Sequence, residues 1–247
     1  MSEGPLLIER RPDRIVATLN RPDKRNAIDQ AMIDAFHDLC AELEVTPRTL
    51  ILTGANGTFA AGADIAQLRD RRAEDARRGI NATAFIRISE LPMPVIAAID
   101  GYALGGGAEL AYAADIRIGS TALKIGNPET GLGIIAAAGA TWRLPEIVGD
   151  ARASELLLTG RILDADQALA AGLVSSIHPS DELLPAAHAI ADRIAANDPL
   201  ATQYTKRALR APRDRHPEID GELQAELFES AEKHRRMTEF LEKRAGR

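Results

Sequence analysis

Residues 94–109 run PVIAAIDGYALGGGAE, an apolar stretch that meets a turn at Asp100-Gly101 and then a triple glycine, Gly105-Gly106-Gly107. A short continuous run of aliphatics bounded by turn residues reads as a buried strand, here 95–99. Glycine carries no side chain, so the backbone after that strand can pass very close to a ligand atom. Residues 108–113 read as a short apolar helix with the carboxylate of Glu109 in its first turn. A helix start offers unpaired N–H groups and partial positive charge. Twenty positions after Glu109, the segment GNPE brings a second carboxylate, Glu129. This combination suits stabilisation of a developing oxyanion with an acid or base beside it, and it points to an enzyme.

The rest of the chain bounds the fold. Its 247 residues, 45% hydrophobic, are ample for a large core in one or two domains. Aromatics are only 4%, so Ala, Leu and Ile must fill the interior. A net charge of −6 repels nucleic acid on average. The single cysteine, Cys40, shares an apolar helical stripe with Met32, Phe36, Leu39 and Leu43 and reads as a core residue. No apolar run reaches the roughly 18 residues of a membrane span, and no secretory signal is visible, so a soluble cytoplasmic protein is expected.

Strands are expected over 6–10 and 14–19 around the Arg11-Pro12-Asp13 break, then a helix to residue 44 capped by Asp29. A buried strand at 49–53 leads into a Gly/Ala/Asn loop over 54–62, and a helix starts near Asp64. Residues 69–78 are strongly charged, and 81–90 are helical until Pro92 and Pro94. Strands are expected at 116–118, 123–125 and 174–177. After Trp142 the chain is mainly helical, with long helices over 181–196, 200–209 and 219–244. The chain is thus mixed for its first part and all helix at the end. A core at 1–195 and a helical region at 196–247 are the expected divisions.

Several common chemistries find no motif. No GxGxxG follows a strand, no GxxxxGK[ST] or GxSxG exists, and the five histidines have no paired-ligand spacing.

Separated motifs then agree with one another: NRPDKRNAI over 20–28, FAAGADI over 59–65, GYALGGGAELAYAAD over 101–115, GNPETGLG over 126–133, Thr141, Arg143 and Leu144, and LLLTGRILDADQALAAGLV over 156–174. In this order and at these separations the chain resembles the crotonase superfamily, and within it the enoyl-CoA hydratases, over nearly its whole length. The resemblance implies an α/β fold, the crotonase (ClpP-like) spiral of β-β-α turns with a C-terminal helical trimerisation region. It implies a lyase that reversibly adds water across the 2,3 double bond of a 2-enoyl-CoA, in fatty-acid and lipid metabolism or a related pathway. It further implies a homotrimer or a hexamer of paired trimers, with no metal or redox cofactor, coenzyme A entering as part of the substrate.

By motif match, the backbone N–H groups of Ala63 and Gly106 are the expected oxyanion hole, and Glu109 and Glu129 the expected catalytic pair. The resemblance assigns Glu109 to orient and deprotonate water and Glu129 to protonate C2. Two carboxyl groups sharing one water should titrate as a coupled pair. The expected acyl-CoA contacts are Lys24, Arg25, Ala27, Ala61, Ala63, Asp64, Ile65, Ala66 and Gly106, with Arg21 a further candidate for phosphate and Phe240, Lys243 and Arg244 for a neighbouring subunit's coenzyme A. The chain departs from the family at Ala136-Ala137-Ala138-Gly139-Ala140, where a Pro-Gly-Ala-Gly-Gly run is common, and the N–H of Ala137 is expected to serve the water. Other readings remain: a double-bond isomerase or C–C lyase on an acyl-CoA, or a non-catalytic oligomeric or RNA-binding relative, against which the net charge of −6 argues.

Overall fold

The two short strands that open the chain, β1 (Leu6–Arg10) and β2 (Arg14–Leu19), pair antiparallel across the expected break, in a computed structural model that describes residues 4–245. Helix α1 (Gln30–Val45) starts where Asp29 accepts a hydrogen bond from the Met32 N–H at 2.9 Å. Its apolar positions Met32, Phe36, Leu39, Cys40 and Leu43 fall on one face and are all buried. Burial pushes the Cys40 thiol up to about 12, so it stays neutral in the core. After β3 (Thr49–Gly54) come α2 (Ile65–Asp70), α3 (Ala73–Arg78) and α4 (Ile80–Ser89), then β4 (Val95–Ile99), β5 (Tyr102–Leu104) and α5 (Gly106–Ala113).

The chain continues through β6 (Ile116–Ser120), β7 (Lys124–Gly126), a 3-10 turn at Glu129–Leu132, α6 (Ala140–Val148), α7 (Asp150–Thr159), β8 (Ile162–Asp164), α8 (Ala165–Ala170), β9 (Ile177–His178) and α9 (Ser180–Ala195). It ends with α10 (Pro199–Leu209), α11 (Glu218–Phe228) and α12 (Ala231–Ala245). Two compact units result, one ending at Ala191 and the other beginning at Asp192.

Within the first unit a six-stranded sheet has the order β1-β2-β3-β4-β6-β9, parallel from β2 onward. Every residue of β4 is buried. That explains its unbroken aliphatic sequence, because a parallel strand covered on both faces has no solvent side to make polar. Phe36, Phe59 and Phe85 are among the largest fully buried side chains, with Ala, Leu and Ile filling most of the remaining core.

A second, three-stranded sheet has the order β5-β7-β8. Its strands β5 and β8 are three residues each and were not expected from the sequence, being too short to carry a period. The expected single helix over 219–244 is two, α11 and α12, with the break at Glu229 and Ser230. In the second unit, Ile219 and Leu223 of α11 are buried, while α12 buries no side chain.

Candidate active site

Strand β5 organises the site. It pairs in parallel with β7, Leu104 opposite Gly126. The same strand forms a parallel bridge with the 59–63 loop at Ala60 and Ala103, through Ala60 N–H to Tyr102 O at 2.9 Å and Leu104 N–H to Ala60 O at 3.0 Å. Three segments far apart in sequence therefore lie side by side: the Ala61–Ala66 loop, the triple glycine and Asn127–Glu129.

The glycines are dictated by these neighbours. Gly105 has φ of 51°, a left-handed conformation that side chains disfavour, and a Cβ there would stand 3.1 Å from Glu129 Oε1. A Cβ on Gly107 would stand 2.2 Å from the Ala60 oxygen, so no larger residue fits. From the Cβ position of Gly106 the Ala63 nitrogen is 3.5 Å away. Ala63 and Gly106 thus lie side by side. Among the described residues neither N–H donates to a protein acceptor, whereas their neighbours do: Ala61 N–H to Arg25 O, Asp64 N–H to Ile28 O and Gly105 N–H to Gly126 O. Gly106 opens α5, where backbone donors are unpaired and the helix field favours negative charge.

Both glutamates are buried, Glu109 at 4% exposure and Glu129 at 8%. Glu109 Oε1 accepts from the N–H groups of Ala138 at 2.7 Å and Ala140 at 3.2 Å. Burial is the main cause that raises its pKa, and the nearby Glu129 adds to it. The two N–H groups pull the other way, and the carboxyl is left at about 7. Glu129 is likewise raised by burial. Its Oε1 accepts from Asn127 Nδ2 at 3.3 Å, and its Oε2 meets no donor among the described residues. A buried carboxyl oxygen without a donor favours the protonated form, because nothing there compensates a charge. The two environments differ in kind: backbone donors only partly offset burial at Glu109, whereas Glu129 has an oxygen that no donor among the described residues meets.

Asn127 and Tyr112 belong to the same cluster and were not singled out in the sequence. Tyr112 Oη donates to Asn127 Oδ1 at 3.0 Å, and Asn127 Nδ2 also reaches the Gly105 oxygen at 3.4 Å. Tyr112 is buried, which pushes its phenol well above the usual range, so it remains a donor. That bond fixes the Asn127 amide with its nitrogen toward Glu129. The only signals were Asn127's place two residues before Glu129 and the helical spacing of Tyr112 from Glu109.

The loop at 21–28 lies along the Ala61–Ala66 segment, joined by Ile28 N–H to Gly62 O at 2.8 Å. Lys24 and Arg25 are exposed there and Ala27 is half-buried. Across from them, Ala61, Ala63 and Asp64 are half-buried, and Ile65 and Ala66 are exposed. Arg21 is corrected. Its guanidinium pairs with Asp29 at 3.2 Å and Asp64 at 3.1 Å and donates to Ala27 O at 2.6 Å, so it braces the loop. Asp64 in turn accepts from Ala66 N–H at 3.1 Å and caps α2, and the Arg21 bond holds its carboxyl below the usual range. Buried Asn26 joins the loops through Ala55 O and Thr58 O. Ala137 is exposed in the same loop as Ala138 and Ala140, which supply the N–H groups that reach Glu109. Arg143 of α6 is buried and donates to Ser89 Oγ of α4 at 2.8 Å.

Beside Glu129 a cavity of about 280 Å³ runs between the 3-10 turn, α6 and α7. Its wall is mainly apolar, with Ile135, Ala136, Pro145, Leu157 and Leu158.

Comparison with known proteins agrees over the whole chain. Residues 13–247 match the family described as enoyl-CoA hydratase/isomerase. The chain is 36% identical to the crotonyl-CoA hydratase of Syntrophomonas wolfei, covering 99% of this chain and 97% of that protein. It is 34% identical to the 2,3-dehydroadipyl-CoA hydratase of Escherichia coli, covering 99% and 97%. The crystal structure of an enoyl-CoA hydratase from Bacillus anthracis superposes with a TM-score of 0.92 at 32% identity, over 97% of this chain and 96% of that one.

Proposed function

The chain belongs to the enoyl-CoA hydratase/isomerase family with the crotonase fold, and on that premise we propose that it is an enoyl-CoA hydratase. It adds water across the 2,3 double bond of a 2-enoyl-CoA to give a 3-hydroxyacyl-CoA. What supports the reading is the pair of buried carboxyls together with an Ala63 nitrogen 3.5 Å from the Cβ position of Gly106.

In this reading the thioester oxygen lies against the two N–H groups. Glu109 takes a proton from water as its oxygen bonds to C3. The C2=C3 electron pair moves toward the thioester, and the negative charge gathers on its oxygen, where the two donors stabilise it most. Glu129 gives its proton to C2, and the proton on Glu109 returns to the pair for the next turnover. Net addition is one water. The raised pKa of Glu109, about 7, supports proton exchange at neutral pH. No metal or redox group takes part, and coenzyme A enters with the substrate.

Lys24 and Arg25 are the cations proposed for the coenzyme A phosphates, since both are exposed at the rim beside Ala61–Ala66. The apolar cavity beside Glu129 supports an aliphatic acyl chain. The chain is proposed to act in acyl-CoA metabolism in the cytoplasm; no described helix is long and apolar enough to cross a membrane. Exposed Phe228, Met237, Phe240 and Leu241 in α11 and α12 support a trimer or a hexamer of paired trimers. A monomer by light scattering at micromolar concentration would remove that part.

The test is loss of crotonyl-CoA absorbance with purified protein in ¹⁸O-labelled water. One ¹⁸O in the 3-hydroxyacyl product supports hydration. Turnover of enoyl-CoA without label in the product would instead make the chain an isomerase or lyase of the same fold.

A further inference from the structure

We propose that Asn81 supplies a third donor to the thioester oxygen, beside the N–H groups of Ala63 and Gly106, and that Arg71 is the positioning residue that aims it. The inference rests on the oxyanion reading above.

Asn81 lies in the first turn of α4 and is 8% exposed, although nothing in the sequence around it marks a core position. Its Oδ1 accepts from both terminal nitrogens of Arg71, each at 3.2 Å. A guanidinium only donates, so the amide oxygen must face it and the amide nitrogen must face away. That nitrogen lies 3.6 Å from the Cβ position of Gly106, the same point from which the Ala63 nitrogen is 3.5 Å. Two backbone N–H groups and one side-chain amide therefore border one small volume. Among the described residues Asn81 Nδ2 has no protein acceptor, and it is not among the buried atoms sealed from solvent, so it is open to a ligand.

Arg71 closes α2, the helix whose first turn follows Ala63 and Asp64. Its charge on Oδ1 draws electron density from the amide and strengthens the N–H groups opposite. The donor gains most when charge has moved onto the thioester oxygen, so its contribution belongs to the transition state.

The test uses the full-length protein and butyryl-CoA, a saturated thioester that cannot be hydrated, labelled with ¹³C at the carbonyl. Difference infrared spectroscopy reads how far binding lowers the carbonyl stretch. Asn81→Ala is expected to return that stretch part of the way to its value in water, to lower kcat about 100-fold and to leave KM within about threefold. Arg71→Gln, at a half-buried position, is expected to shift the stretch in the same direction by less. It reads the same quantity if Asn81→Ala melts early. A residue that only anchors the neighbouring helices would raise KM and leave the stretch alone. If the parent lowers the stretch and Asn81→Ala and Arg71→Gln lower it equally well, the third donor is refuted and the backbone pair stands. If the parent itself leaves the stretch unchanged, the oxyanion reading fails and this inference with it.

Discussion

Helix α5 starts at Gly106 and α2 just after Ala63 beside it, yet α5 and the α2–α3 stretch are built in opposite ways. All of α5 is buried, Glu109 included. Neither α2 nor α3 buries a single side chain. The buried side carries groups whose protonation depends on exclusion from water, and packing holds them in place. Under the proposed reading the solvated side meets a large charged ligand, which arrives with its own surface to bury. The α2–α3 stretch is held by a few polar anchors, chiefly Arg21–Asp64 and Arg71–Asn81. Chemistry and recognition thus draw on different sources of order: packing on one side, hydrogen bonds and bound substrate on the other.

That contrast is sharpest in substitutions. The largest effect is expected for Glu109→Gln and Glu129→Gln, each lowering kcat about 1,000-fold while the chain stays folded, since each is near-isosteric. Full activity in either variant would end the pairing of roles. Next comes Gly107→Ala, where a methyl would press on the Ala60 oxygen. A loss of about 3 kcal/mol in denaturant midpoint experiments is expected, and a stable, active variant would mean that the two loops are less tightly joined than drawn.

The pH dependence follows from Glu109, whose pKa is raised by burial from 4.5 to about 7. The unfolded chain releases this proton first. The site's contribution to stability is therefore complete below about pH 4.5 and is lost as pH rises toward 7, a change of up to about 3 kcal/mol. Activity runs the other way, falling below about pH 7 as the base is protonated. Glu109→Gln should flatten that part of the stability profile, as urea titrations at pH 4.5 and 7.5 would record. The smallest effect is expected at exposed Ile65, 60% accessible. Ile65→Ser should change stability by no more than about 0.5 kcal/mol while raising KM, and a large stability loss would show that α2 is packed more firmly than its burial says.

Much of this was legible because it is locally encoded. The strand β4 and the helix α1 announce themselves through an unbroken aliphatic run and a capped apolar stripe. Glu109, Glu129, Ala63 and Gly106 stand out through motifs, and the fold brings Glu109 near Glu129 and Ala63 near Gly106. What could not be read depends on partners distant in the chain. Arg21 is a cation beside a proposed phosphate site in sequence, but its charge is already taken by Asp29 and Asp64. Asn127, Tyr112 and Asn81 gain significance only once other segments lie against them. The α11–α12 break is hidden because the apolar spacing runs through it.

Strand β5 is three residues long, yet it holds the Ala60 loop on one edge and β7 on the other. Because side chains and carbonyls alternate along a strand, adding or deleting one residue between Gly101 and Gly105 would rotate the following helix start by half a repeat. It would exchange which amides face the cleft while leaving every reactive group in the molecule. Segment length here is as much a requirement for turnover as residue identity, and relatives that diverge freely in side chains should nonetheless keep this spacing.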